Sequence, residues 1–168
     1  TFGRDGLNLA ALKSMTEGDA GIAEEFWDSA SRFGFTFNWG YVNREEIGYF
    51  ASGRLPVRAE GLDRRLPTWG TGEYEWQGLL EPDQHPHAAG HPDDRLVNWN
   101  NQSAPGFMHS DTELYGSVHR VENFDQWPDP VTLADVMSVM NRAATEDVRA
   151  SLWPVVSEVL QGGDAPSD

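Results

Sequence analysis

The sequence contains no cysteine, which excludes disulfides and thiol chemistry together. Lysine is almost missing too: among twelve basic residues only Lys13 is lysine, and the others are arginine. That skew fits either a GC-rich genome or a choice of planar donors for carboxylate pairs, and the sequence leaves both open. Positive charge is scarce overall, with 27 acidic residues producing a formal net charge of −15. A phosphate-binding face needs the opposite sign, so no nucleic-acid partner is expected. Long apolar runs are absent; none approaches the roughly 20 residues that cross a bilayer, so no membrane partner is expected. No signal peptide is visible at the start. Neither a Ser/His/Asp set in recognisable motif context nor a glycine-rich phosphate loop is present.

What the chain does have is enough for one core. Its 168 residues suit a single domain, and seven tryptophans with eight phenylalanines imply packing rather than disorder. Residues 1–163 read as one partial domain and residues 164–168 as a disordered tail. Residues 5 to 16 predict a short helix with Leu7, Ala10, Ala11 and Met15 on one face. Ala20 to Phe33 predicts a second, striped by Phe26, Ala30 and Phe33 and capped by Gly34. Phe35 to Val42 alternates as a half-buried strand does, Asn43 to Glu46 is a polar turn, and Ile47 to Ala51 is the returning strand. Val131 to Ala144 predicts an amphipathic helix with Leu133, Val136, Met137 and Met140 inward and Thr132 near its start. Glu146 to Leu160 predicts another, kinked or broken at Pro154.

Between Gly53 and Pro92 the texture changes. Five prolines and six glycines leave no room for long regular elements, and such a stretch inside a compact domain reads as a functional loop region. Glu73 to Gln77 and Arg95 to Trp99 are the candidate short strands within and after it. His85, His87 and His91 invite a metal, but their spacing matches no standard ligand pattern, and the surrounding prolines and acids read as solvated loop. Trp69, Trp76 and Trp99 read as core residues.

The densest chemistry lies in Asn98-Trp99-Asn100-Asn101-Gln102, where three asparagines and a glutamine fall within five residues. Amide side chains donate and accept without titrating. They either fix a turn, because asparagine tolerates left-handed backbone, or aim an N–H at developing negative charge. Arg120 and Asp111 are further candidates, with a surface ion pair and a helix cap as their ordinary roles.

Read together, the motifs point further. Ile47-Gly48-Tyr49, Gly53, Leu55-Pro56, Gly61-Leu62-Asp63-Arg64-Arg65-Leu66-Pro67, Gly70-Thr71-Gly72-Glu73-Tyr74-Glu75-Trp76-Gln77-Gly78, Asn98-Trp99-Asn100-Asn101, Ser110-Asp111 and Arg120 form an ordered series. From about Phe35 to Leu160 the series resembles the β-chain of the penicillin acylase (penicillin amidase) family of N-terminal nucleophile hydrolases. The resemblance implies an α+β fold: part of an αββα sandwich with short antiparallel strands, a long loop region and flanking helices. It implies a parent enzyme, an amidohydrolase that cleaves the linear amide of a small acyl group. The nucleophile would be an N-terminal serine exposed by self-cleavage of a precursor, with its own α-amino group as base. It further implies Asn100 as oxyanion donor, Arg120 as active-site arginine, Phe37 as a wall of the acyl pocket, and a structural calcium held by the Asp111 carboxylate and the Arg64 carbonyl.

The expected partners are a small acyl amide and the remaining α- and β-chain segments, with self-association of the chain a further expectation. A periplasmic or extracellular parent is implied as well. Thr1 is not read as the nucleophile, because Phe2 to Gly6 enters a helix where a strand should follow. The chain is accordingly expected to be an internal fragment of a β-chain, inactive alone. The alternative from another class is a non-catalytic module holding a sugar or peptide on exposed Trp69, Trp76 and Trp99.

Overall fold

A computed structural model describes residues 5–18, 20–90, 95–109, 115, 121–124 and 127–163. The chain falls into two compact units, Thr1–Tyr115 and Gly116–Asp168. The architecture is α+β, with helices and a small antiparallel sheet, as expected.

In the first unit α1 (Asp5–Thr16) and α2 (Ala23–Ala30) precede a three-stranded sheet ordered β1-β2-β3. Strand β1 (Phe37–Val42) pairs antiparallel with β2 (Ile47–Ser52), matching Phe37 with Ser52 and Val42 with Ile47. Strand β3 (His87–Ala89) closes the other side of β2. The β1–β2 turn is made by Asn43, whose Oδ1 accepts the N–H groups of Glu45 at 2.8 Å and Glu46 at 2.7 Å. An asparagine folding back on the next main-chain donors is a local turn device.

The same turn builds the helix above it. Ile22 precedes α2 and offers no capping side chain. Glu46 reaches over from the turn instead, and its Oε1 accepts the Ala23 N–H at 2.8 Å. A carboxylate at that end satisfies an orphan donor and complements the helix dipole. Phe26, Ala30 and Phe50 form the core, with Met15, Trp27, Trp39 and Tyr41 packed around it. Phe33 is buried and stacks on Trp39, ring centres 4.3 Å apart. The predicted stripe is therefore the packing face, but α2 stops at Ala30 rather than Phe33. Gly34 is not its cap; its N–H is taken by Asn8 Oδ1 at 2.9 Å, which ties α1 to the start of the strands. Among the described side chains of α1 only Ala11 is fully buried, while Leu7 and Ala10 face solvent.

The long loop region forms no strand at 73–77 or 95–99. The alternation there lacks a ladder partner. Segments 55–57 and 77–80 run together instead, through Gln77 N–H to Val57 O at 2.9 Å and Leu80 N–H to Leu55 O at 2.9 Å. His85 is buried and its Nδ1 donates to Ala51 O at 2.8 Å. His87 Nδ1 donates to His85 O at 2.7 Å, and its ring lies against Trp27. Both histidines thus serve the sheet edge, and among the described residues no group of three metal-ligating side chains occurs. His91 lies outside the described residues. Trp69 and Trp76 are 79% and 61% exposed, which corrects the expectation that they are core.

The second unit holds α3 (Leu133–Thr145) and α4 (Trp153–Gly162). Thr132 caps α3: its Oγ1 accepts the Asp135 N–H, and Asp135 Oδ2 accepts the Thr132 N–H at 2.8 Å. The Thr132 hydroxyl, which also donates to Asp135 Oδ2, and the Thr132 N–H hold the Asp135 carboxyl below the usual range. Pro154 stands in the first turn of α4, where its missing N–H costs nothing. A 3-10 turn at Val148–Leu152 precedes it, so the expected break is real. The inward face is not the predicted one. Val139 is the buried residue of α3, while Leu133, Met137 and Met140 are exposed. The tail expected at residues 164–168 lies outside the described residues.

Gly48 marks where α2 and β2 touch. A Cβ built there would stand 2.7 Å from Ala23 Cβ, whereas one at Gly40 would meet nothing within 4 Å. Gly48→Ala is expected to destabilise the protein by about 1–3 kcal/mol through overpacking, and Gly40→Ala to stay within about 0.5 kcal/mol. Urea titration of both variants checks the pair, and equal midpoints would remove the packing argument.

Candidate functional site

The amide cluster lies beside the start of β1. Thr36, Phe37, Asn38, Asn98, Asn100, Asn101 and His109 line one cavity of about 80 Å³. Two residues singled out by sequence, Phe37 and Asn100, therefore meet across the whole loop region. Phe37 is 48% exposed, with its ring 4.9 Å from that of Trp39.

Within the cluster each amide has a distinct job. Asn98 Oδ1 accepts the Asn100 N–H at 2.9 Å, closing a turn. Asn101 Oδ1 accepts the Trp99 N–H at 3.3 Å and its Nδ2 donates to Gln102 O at 2.8 Å. Gln102 Nε2 donates to Phe107 O at 3.0 Å. Asn98 and Asn101 thus hold the loop. Asn100 differs: it is exposed, and its φ of 68° is the one positive value among the described non-glycine residues. Left-handed backbone costs most L-residues about 1–2 kcal/mol, and asparagine is among the few that visit it.

Sequence reading passed over Asn38. Its Nδ2 donates to Asn98 Oδ1 and to Asn101 O, both at 3.3 Å. Its Oδ1 accepts from Tyr49 Oη at 2.7 Å and from Ser103 Oγ at 2.9 Å. Its only early signal was a polar residue inside an apolar strand pattern. His109, also passed over, has a buried Nδ1 with no hydrogen-bond partner among the described residues. It lines both the small cavity and a larger one of about 560 Å³ that includes Leu55, Arg58 and Arg64.

Arg64 is exposed in the turn 63–66, and its Nη1 donates to Met108 O at 3.3 Å. That turn is pinned by Arg65, which grips Asp63 at 3.0 Å and holds its carboxyl below the usual range. Arg64 therefore sits against the loop that leads towards Asp111. Asp111 and Arg120 themselves lie outside the described residues, so their placement relative to Asn100 is not part of this geometry.

A family model described as penicillin amidase matches residues 11–165. A penicillin G acylase from Escherichia coli is 29% identical over 171 residues, covering 98% of this chain and 20% of its own length. A solved structure of a thermostable penicillin G acylase from Alcaligenes faecalis superposes with a TM-score of 0.77 at 28% identity, covering 99% of this chain and 31% of that one. The chain thus spans about a fifth of the length of the curated relative.

Tyr49, whose hydroxyl orients Asn38, has its pKa raised above the ordinary value by burial, with the Ser103 hydroxyl acting in the opposite sense. Because the folded value exceeds the unfolded one of about 10, its stabilisation is complete below that pH and is lost as pH rises through the folded value. Alkaline titration of tyrosinate absorbance, as the difference between the protein and Tyr49→Phe, should place this transition above the ordinary tyrosine range. A transition at or below that range would contradict the burial.

Proposed function

The chain belongs to the penicillin amidase family, and from that premise we propose that it supplies half of an amide-hydrolysing site. The single observation that supports the reading is the shared cavity of Phe37 and Asn100. It joins an apolar wall to an amide held on left-handed backbone.

In this reading the nucleophile is an N-terminal serine outside the chain. Its Oγ attacks the acyl carbonyl carbon, and its own α-amine, with an ordinary pKa of about 7.7–8.0, takes the proton. The carbonyl oxygen becomes an oxyanion, which Asn100 Nδ2 and a main-chain N–H stabilise. Collapse breaks the C–N bond, and the leaving amine takes the proton from the α-ammonium. Water then releases the acid by the same steps. Phe37 lies along the acyl group, for which an apolar wall suits, and Arg120 is the active-site arginine that the family resemblance implies. A structural calcium would take the Arg64 carbonyl and the Asp111 carboxylate as two of its several oxygen ligands. The Arg64–Met108 contact, which holds Arg64 against the segment before residue 110, fits that role; the calcium would stiffen the loops, and no step passes through it. The substrate class is a small acyl amide, and the parent enzyme would be periplasmic or extracellular.

The exposure of Trp69 and Trp76 is what a sugar- or peptide-binding module would need. Against that reading, the Arg58 guanidinium lies over the Trp76 ring at 5.6 Å and occupies one of its two faces.

Two experiments test the proposal. In the full-length enzyme, Asn100→Gly keeps the left-handed backbone and removes the amide, so turnover should fall about 10²- to 10³-fold while precursor processing continues. A fall of under about threefold would remove Asn100 from the site. The isolated chain should not hydrolyse a phenylacetyl anilide, and clear hydrolysis by it would return attention to Thr1.

A further inference from the structure

The Asn38 amide is oriented by partners whose polarity is fixed. The Asn101 main-chain oxygen, 3.3 Å from Nδ2, can only accept. The Asn98 atom at the same distance is an oxygen as well, because it accepts the Asn100 main-chain N–H. The NH₂ end of Asn38 must therefore face the loop. Its oxygen faces away and takes two hydroxyl donors, Tyr49 and Ser103. Tyr49 belongs to β2, the central strand of the sheet.

These bonds form one connected path. It runs from the central strand through Tyr49 to Asn38, and from Asn38 to both sides of Asn100. One arm ends on Asn98, whose oxygen also fixes the Asn100 N–H; the other ends on the carbonyl of Asn101. Residues 95–98 form no strand that would hold the loop by ladder bonds. The left-handed backbone of Asn100 is thus braced by side-chain amides rather than by secondary structure.

We propose that Asn38 is a positioning residue that fixes the direction of the Asn100 side chain. It touches no substrate and acts through the two flanks of Asn100. The proposal rests on the amide-hydrolase reading above, in which Asn100 meets the oxyanion. A donor contributes to catalysis only where it already points at the charge that develops, so loosening its frame should lower turnover more than substrate affinity.

The test is a kinetic cycle in the full-length enzyme with a phenylacetyl anilide as probe, using Asn38→Ala, Asn38→Asp, Asn100→Gly and the Asn38→Ala/Asn100→Gly double variant. Asn38→Ala should lower kcat about 10- to 100-fold, the scale of a misplaced catalytic group, with KM changed by less than about threefold. Asn38→Asp keeps the acceptor for Tyr49 and Ser103 but sets an oxygen against two oxygens, so kcat should fall at least as far. The double variant should be no slower than Asn100→Gly alone, since nothing remains to be positioned.

Where Asn38→Ala does not fold, Ser103→Ala removes one bond to the Asn38 oxygen and should lower kcat about threefold, the scale of one such bond. Single losses that multiply in the double variant, or Asn38 and Ser103 variants with unchanged kcat while Asn100→Gly is slow, would overturn the positioning role. An unimpaired Asn100→Gly would instead overturn the oxyanion reading on which it rests.

Discussion

Everything around the site depends on the two-residue alternation of β1. Trp39 and Tyr41 point to the side where Phe33 and Phe26 wait, and their rings pack at 4.3 and 5.3 Å. Asn38, between Phe37 and Trp39, must then point the other way. The apolar contacts of one face thereby fix the register that presents an amide on the opposite face. A slip of one residue would bury Asn38 and expose Trp39, so core packing and site geometry cannot be changed separately. The turn at Asn43 adds to this coupling. It closes the hairpin and places Glu46 under the first N–H of α2, so one short turn sets both the strand register and the helix that covers it.

Much of this is legible in the sequence because it is local. The 3.6-residue spacing of Phe26, Ala30 and Phe33, the alternation through Phe37 to Val42, and Thr132 at the start of α3 all act within a few residues of themselves. The ordered motif blocks carry the family, and the proposed role of Asn100 rests on them. What escaped depends on partners distant in the chain. The Asn38 side chain is explained by Tyr49 on the neighbouring strand and by Asn98, Asn101 and Ser103, and no spacing rule links them. The same holds for Glu46, which reads as a turn acid until α2 is seen above it. Alternation misled at Glu73 to Gln77 and Arg95 to Trp99, where no neighbouring strand completes a ladder.

The exposed apolar side chains follow a consistent pattern. In the first unit Trp69 and Trp76 stand out from a loop region rich in proline and glycine, and in the second Leu133, Met137 and Met140 form an uncovered stripe along α3. Sequence periodicity identified that stripe correctly as an apolar face and assigned it to the wrong surroundings. Exposed apolar surface of this kind is what protein interfaces, ligand grooves and membrane contacts are made from.

The left-handed backbone at Asn100 also bears on how this position can drift over generations. In the proposed reading most single substitutions there are penalised twice, once by steric strain at Cβ and once by loss of the amide. Glycine relieves the first penalty and keeps the second; aspartate relieves the first and reverses the polarity. Neither replacement is neutral on both counts, so in the proposed reading the residue is held by a conformational filter as well as by its chemistry. Tolerance at Asn100 therefore reports on the shape of the loop and the task of the side chain together, and the two can be separated only by comparing replacements that share one of those penalties.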